Sequence, residues 1–205
     1  MGRSKSLFDW RVLLVIIQIV FLSAVARSEA VTIDFDSIPA TCCYSDVLPG
    51  GPRGPVVAFP GVTFDGGVVM DNTGWAGLAP SAPNLYGTSD FYSLADASFL
   101  PGFITILFSS PVTSVMLDVI NGFGASTFTL SAFDISGFLL GSSSIALPGY
   151  PSPSAVGSLG FSGSGIYYLM VTSAQSPGSI DFAIDNVTFD VTPAPEPSTL
   201  ILLGA

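Results

Sequence analysis

The chain has 205 residues, 49% of them hydrophobic, with 22 glycines, 16 prolines, fifteen acidic and five basic residues. It has no histidine, and its only lysine is Lys5. Serine–histidine–aspartate and cysteine–histidine nucleophile systems, a Schiff-base lysine and a histidine-based zinc site are therefore excluded.

The N-terminus reads as a secretory signal peptide. Arg3, Lys5 and Arg11 precede an apolar run from Val12 to Val25. Small residues follow at Ala24-Val25-Ala26 and at Ser28-Glu29-Ala30, the spacing a signal peptidase reads. The run is short for the roughly 20 residues that a bilayer span needs. Cleavage is expected after Ala26 or Ala30, with Ala30 preferred because a strand-like segment opens at Val31. Beyond residue 30, thirteen acids face Arg53 alone. Such a surface argues against nucleic acid or an anionic membrane as partner and makes a cation the natural counter-charge.

After the signal, glycine, serine, proline and threonine interrupt the chain every few residues. Between them lie short runs rich in valine, isoleucine, phenylalanine and threonine. That pattern predicts an all-β antiparallel β-sandwich, a single domain over 31–192. The predicted strands are Val31–Phe35, Val62–Phe64, Gly67–Met70, Phe103–Phe108, Val112–Val119, Thr127–Phe133, Phe138–Ser143, Ile166–Thr172 and Ser179–Val191.

Several segments along this path carry candidate chemistry. In Thr32-Ile-Asp-Phe-Asp36, a period of two puts Asp34 and Asp36 on one face. Cys42-Cys43 is the only cysteine pair. Export makes oxidation feasible, but adjacent Cα atoms sit about 3.8 Å apart, closer than an ordinary disulfide prefers. A strained vicinal bond, two free thiols and bridges to another chain all stay open. Gly50-Gly51-Pro52-Arg53-Gly54 is glycine-rich but lacks the Lys-Ser/Thr pair of a phosphate-binding loop, and reads as a turn. The stretch from Pro80 to Tyr92 reads as a long loop. With Trp75 just before it, it offers Trp75, Tyr86 and Tyr92 as flat faces for sugar rings.

Further on, Thr127–Phe133 alternates cleanly. It should bury Phe128, Leu130 and Ala132 and turn at Asp134-Ile-Ser-Gly137 into the next strand. The last strand breaks phase. Ile180, Phe182 and Ile184 share one parity; Val187, Phe189 and Val191 share the other. A bulge at Asp185-Asn186 is expected. No glutamate lies between Glu29 and Glu196, so a glycosidase would have to run on two aspartates. No catalytic residue is predicted.

The chain ends Pro193-Ala-Pro-Glu-Pro-Ser-Thr-Leu-Ile-Leu-Leu-Gly-Ala205. A proline-rich spacer carrying Pro195, Glu196 and Pro197 turns abruptly apolar and stops. This resembles the start of a PEP-CTERM tail, the sorting signal of exported bacterial proteins handled by an exosortase. The family's full apolar helix and closing arginines are missing, so 193–205 reads as a truncated tail. Leu200 to Ala205 is too short for a stable membrane span.

The resemblance extends to the domain. Gly61-Val-Thr-Phe64, Ala82-Pro-Asn-Leu85, Ile104 to Val119, Ala132-Phe-Asp-Ile-Ser-Gly137 and Phe182-Ala-Ile-Asp-Asn-Val-Thr-Phe189 follow one another as in jelly rolls that carry such tails. The last of these is also similar to the closing strand of galactose-binding-like modules. The segment from Tyr44 to Pro60 has no match. The resemblance implies a jelly roll with a structural calcium where first and last strands meet, held by Asp34, Asp36 and Asp185. It also implies an exported structural protein of the cell envelope, biofilm or exopolysaccharide matrix, with an exosortase-type sorting protease as partner. The alternative is a carbohydrate-binding module whose partner is the exopolysaccharide itself.

Overall fold

A computed structural model describes residues 29–38, 40, 57–75, 78–88, 102–176 and 180–191. Two units separate by their internal contacts. Ala30–Val191 is one; the other, Met1–Glu29 with Thr192–Ala205, lies, Glu29 apart, outside the described residues. The described residues form ten strands: β1 (Glu29–Ile33), β2 (Val57–Phe59), β3 (Val62–Asp65), β4 (Val68–Asp71), β5 (Asn84–Gly87), β6 (Phe103–Asn121), β7 (Ser126–Phe133), β8 (Leu139–Leu147), β9 (Val156–Ser173) and β10 (Phe182–Val191). The helical content among the described residues is one 3-10 turn, Asn72–Trp75. No helix among them is long and apolar enough to cross a membrane.

The organising element is the long antiparallel ribbon of β6 and β9, paired from Phe103↔Thr172 to Ile120↔Val156. Its register shifts between Leu107 and Ser114, where Ser109, Ser110 and Pro111 interrupt the apolar alternation. There the ribbon folds back on itself. The two ends of β6 meet the same segment: the space beside Gly102 is filled by Ile180, and Gly122 donates its N–H to Asp181 O at 2.8 Å. One continuous sheet thus becomes two layers. The first runs β2-β3-β6-β9-β7-β8 through the first half of β6 and the second half of β9. The second runs β4-β5-β10-β6-β9 through the other halves, and β1 pairs with β10.

The inward faces follow the period of two. Ile104, Ile106, Phe128, Leu130, Ala132, Leu169 and Val171 of the first layer meet Leu117, Val119, Phe182, Ile184 and Phe189 of the second in one core. Rings join the layers: Phe128 lies 5.4 Å from Phe182 and Phe108 5.0 Å from Phe189. The result is an all-β antiparallel sandwich, as the turn-broken pattern predicts.

The expected bulge is present. Asp185 pairs with Asp118 but Thr188 with Met116, one residue too many on β10, and Asn186 takes φ 47°. The extra residue lets Phe182 and Ile184 before it, and Val187 and Phe189 after it, all face inward. The predicted hairpin is also found. Asp134 accepts N–H bonds from Ser136 (2.8 Å) and Phe138 (2.9 Å), and Gly137 supplies the turn's φ of +80°.

Three expectations need correction. Phe103–Phe108 and Val112–Val119 are one folded strand, because β9 runs beside both and carries the ladder through the irregular stretch. β9 begins at Val156, ten residues before the predicted Ile166. Gly157-Ser-Leu-Gly-Phe-Ser-Gly-Ser-Gly165 has poor strand propensity, but β6 supplies its partners. The stretch Pro80 to Tyr92 is not all loop: Asn84–Gly87 is β5, wedged between β4 and β10.

Candidate functional site

The aromatic platform expected from sequence is not where the open surface is. Trp75 is 6% exposed and Tyr86 fully buried. Trp75 closes a second small core with Val68, Met70, Leu85, Ile120 and Ala183 on the outer side of the second layer. It packs so tightly over Gly122 that a Cβ there would meet the indole at 2.5 Å. This is why β4 and β5 are apolar on both faces. Tyr86 stacks on Phe35 (5.4 Å, 19°) and its hydroxyl accepts the Gly67 N–H at 3.0 Å. Burial pushes its phenol well above the usual range, against that hydrogen bond, and the Asp65 charge adds to the effect. Neither side chain can meet a ligand. Tyr92, Cys42, Cys43, Pro195, Glu196 and Pro197 lie outside the described residues.

Trp75 is the only tryptophan after the signal. Its emission in the mature protein is therefore expected to be blue-shifted, resistant to iodide, and unchanged by added polysaccharide. A red, quenchable emission would place the indole back on the surface.

An open cleft lies instead on the outer face of the first layer. Cross-strand register builds it. Thr63, Leu107, Tyr168, Phe133 and Leu139 pair in a row across β3, β6, β9, β7 and β8. The row beside it runs Asp65, Thr105, Met170 and Ser131. Their chain neighbours Phe64, Ile106, Leu169 and Ala132 fill the core, so these residues point outward. Thr63, Asp65, Thr105, Leu107 and Tyr168 line a cleft of about 400 Å³. The Tyr168 ring is backed by Phe133 on β7, 4.5 Å away and nearly parallel at 6°. On its other side, across the β6–β9 ladder, stands Leu107, 51% exposed. Among its described residues the cleft thus has an apolar wall held by stacking, two threonines and the Asp65 carboxylate. Asp65 accepts the Gly66 N–H at 2.7 Å and keeps further lone pairs free.

A second cluster surrounds the bulge. Asp185 is completely buried. Its oxygens accept the Ser81 N–H (2.8 Å), the Asn186 N–H (2.7 Å) and the Ser81 hydroxyl (2.9 Å). Burial raises its pKa; the bonds from Ser81 and Asn186 oppose the rise, and the nearby Asp36 charge adds to it. Asp36 accepts the Asn84 N–H at 2.8 Å. Asn84 also donates to the carbonyls of Phe35 (3.2 Å) and Ile38 (2.6 Å), holding a turn in which Phe35 takes φ 61°. The structure therefore brings Asp36 and Asp185 together. Asp34 is placed differently: its carboxylate accepts the Asp36 N–H at 3.1 Å, and its main-chain carbonyl lies 3.5 Å from the Ser81 hydroxyl. Among the described residues no three His, Cys, Asp or Glu side chains are grouped as a metal site. Of the expected trio, Asp36 and Asp185 come near each other, while the Asp34 carboxylate is used within the turn at Phe35.

No family model matches the chain, and no curated protein does. Among solved structures, the fold is similar to that of a DUF4465 family protein from Bacteroides caccae, with TM-score 0.51 and 11% identity over 80% of this chain and 100% of that one. The K2 cleaved adhesin domain of Lys-gingipain is a looser likeness, with TM-score 0.46 and 12% identity over 80% and 100%. Looser again is the C-terminal family 22 carbohydrate-binding module of Clostridium thermocellum Xyn10B, with TM-score 0.37 and 16% identity over 67% and 89%. The first likeness is one of fold; the other two do not bear on this chain's chemistry.

Proposed function

We propose that the chain is an exported protein of the cell envelope or extracellular matrix whose sandwich holds a polysaccharide strand in the cleft beside Tyr168. One observation carries this reading: an open, largely apolar cleft that sets the Tyr168 ring beside the Asp65 carboxylate. Sugar rings present C–H faces that pack on an aromatic wall, and hydroxyls that donate to a carboxylate. An aromatic-free surface would instead have favoured a purely structural role. Among the described residues lining the cleft, one is an acid, Asp65, whereas glycoside hydrolysis uses a pair. A glycan array probed with the mature protein is expected to show one polysaccharide class retained; silence across the array would return the protein to a structural role.

The export part of the proposal rests on the basic and apolar leader and on the Pro195-Glu196-Pro197 tail, which point to an exosortase-type partner. The extent of β1 supports the earlier of the two cleavage sites. β1 starts at Glu29, so cutting after Ala30 would remove its first two residues, whereas cutting after Ala26 leaves the strand whole. N-terminal sequencing of the secreted protein is expected to begin at Arg27. A sequence starting at Val31 would show that β1 needs only its last three residues, and an intact Met1 would mean an uncleaved anchor.

The cluster at the bulge supports calcium. Asp36 and Asp185 lie close together with no basic residue among the described ones to balance them. Calcium takes six to eight oxygens, water included. We assign the two carboxylates to it, with the Asp34 carbonyl. Its role there is structural: it would neutralise the buried charge and tie the β1 turn to β10.

A further inference from the structure

Among the described residues, β8 is the edge strand of the first layer. It pairs with β7 on one side, and none of the described residues pairs with its other side. An edge of this kind is usually blunted by lysine, proline or a bulge. The edge here has none of these from Gly141 to Leu147, Gly-Ser-Ser-Ser-Ile-Ala-Leu; its one register shift lies at the turn end, between Ala132 and Phe133 on β7. The surroundings are as unusual. The chain carries a formal net charge of −10, yet between Asp134 and Asp181 it has no charged residue at all. That stretch includes β8 and the whole of β9. Large apolar side chains also stand exposed at the two ends of β8: Phe138 at 72% and Leu139 at 49% at one end, Tyr150 at 42% at the other. In the middle, the Ser143 hydroxyl is buried without a hydrogen-bond partner.

These observations share one solution. We propose that β8 pairs antiparallel with β8 of a second copy of this chain, about a two-fold axis at Ser143. Pairing identical edges supplies each free N–H and C=O with a partner. A two-fold axis makes the contact isologous and closed. The register follows from the axis: Ser143 faces Ser143 of the partner subunit, Ser142 faces Ser144 of the partner subunit, and Leu139 faces Leu147 of the partner subunit. Residues directly opposite on one face have Cβ atoms about 4.5–5.5 Å apart, so the exposed Ser142 and Ser144 hydroxyls of the two copies meet across the axis. Antiparallel pairing also brings the Phe138–Leu139 end of one copy to the Leu147–Tyr150 end of the other. The exposed apolar side chains are then covered together. Charge selects this side. Contact between two acidic copies costs least where charge is absent, and the Asp134–Asp181 stretch is the longest uncharged run beyond residue 30. The inference does not depend on polysaccharide binding, since the Tyr168 cleft lies on the sheet face and not on its edge.

The test is the molar mass of the full secreted chain by multi-angle light scattering across a concentration series. Wild type is expected to approach twice the chain mass. Ser142→Asp with Ser144→Asp would set two carboxylate pairs face to face across the axis, and is expected to return the protein to one chain mass with an unchanged circular dichroism spectrum. Met116→Asp, on the exposed face of the other layer, is expected to leave the dimer intact. Amide exchange gives a readout free of mutation: β8 amides of wild type should slow as concentration rises. A wild type that stays at one chain mass, a double variant that still dimerises, or β8 exchange that ignores concentration would overturn the proposal.

Discussion

Tyr168→Ala is expected to weaken polysaccharide binding at least thirtyfold. The ring is the apolar wall of the cleft, backed by Phe133 and flanked by Leu107. Truncating an aromatic anchor at the centre of a contact typically costs about 2 kcal/mol or more, and each 1.4 kcal/mol is a factor of ten. Two companion variants separate the ring from the fold. Tyr168→Phe keeps the wall and should bind within about threefold of wild type. Asp65→Ala removes a charged acceptor, whose bonds contribute about 1.5–3 kcal/mol each, and should lose about tenfold or more. Calorimetric titration with the polysaccharide found on the array gives the numbers, and thermal melts show that each variant is folded. If Tyr168→Ala binds as wild type does, the strand lies elsewhere and the cleft is not the site.

Asp185→Ala is expected to lower the melting temperature by about 10 °C, measured in chelator. The substitution leaves the N–H groups of Ser81 and Asn186 without their acceptor. An orphaned buried donor costs about 1–3 kcal/mol, so the loss is roughly 3 kcal/mol, and a domain of this size shifts about 2–4 °C for each. Calcium adds a separable effect. An ion that binds only the folded state stabilises it by about 2.7 kcal/mol at a hundredfold excess over its dissociation constant. Wild type should therefore melt several degrees higher in calcium than in chelator, and Asp185→Ala should show no such rise. Asp36→Ala should retain the stability in chelator more nearly and still lose the calcium response. A wild type that melts identically with calcium and with chelator would leave Asp185 as a hydrogen-bonding post under Ser81 and remove calcium from the account.

Much of the fold was legible because a strand's pattern is local. Side chains alternate along one chain whatever lies beside it. Thr127–Phe133 announces which residues it buries, and Asp134 to Gly137 announces the turn. The phase break between Ile184 and Val187 locates the bulge to the residue, since only an extra residue lets both halves face inward. The meeting of Asp36 and Asp185 came instead from the jelly-roll resemblance, since a local period does not say which strands pair.

Tertiary structure decided the rest. Trp75 and Tyr86 have the composition of a sugar platform, but residue type does not say which side of a sheet a ring faces or what covers it; here Gly122 and Phe35 receive them. Tyr168 sits in a segment whose sequence marks it only as a strand. It becomes a candidate site because Leu107, Phe133 and Asp65, far apart along the chain, arrive beside it through cross-strand register. The glycine-rich start of β9 is a strand because β6 lies next to it, not because of its own residues. The sequence by itself determined the β class, the charge, the turn and the bulge, all set by period and composition over a few residues. Which faces stay open, which carboxylates meet and which edge is left unpaired depend on register between distant strands. That information resides in the folded ribbon of β6 and β9 and not in any window of the chain.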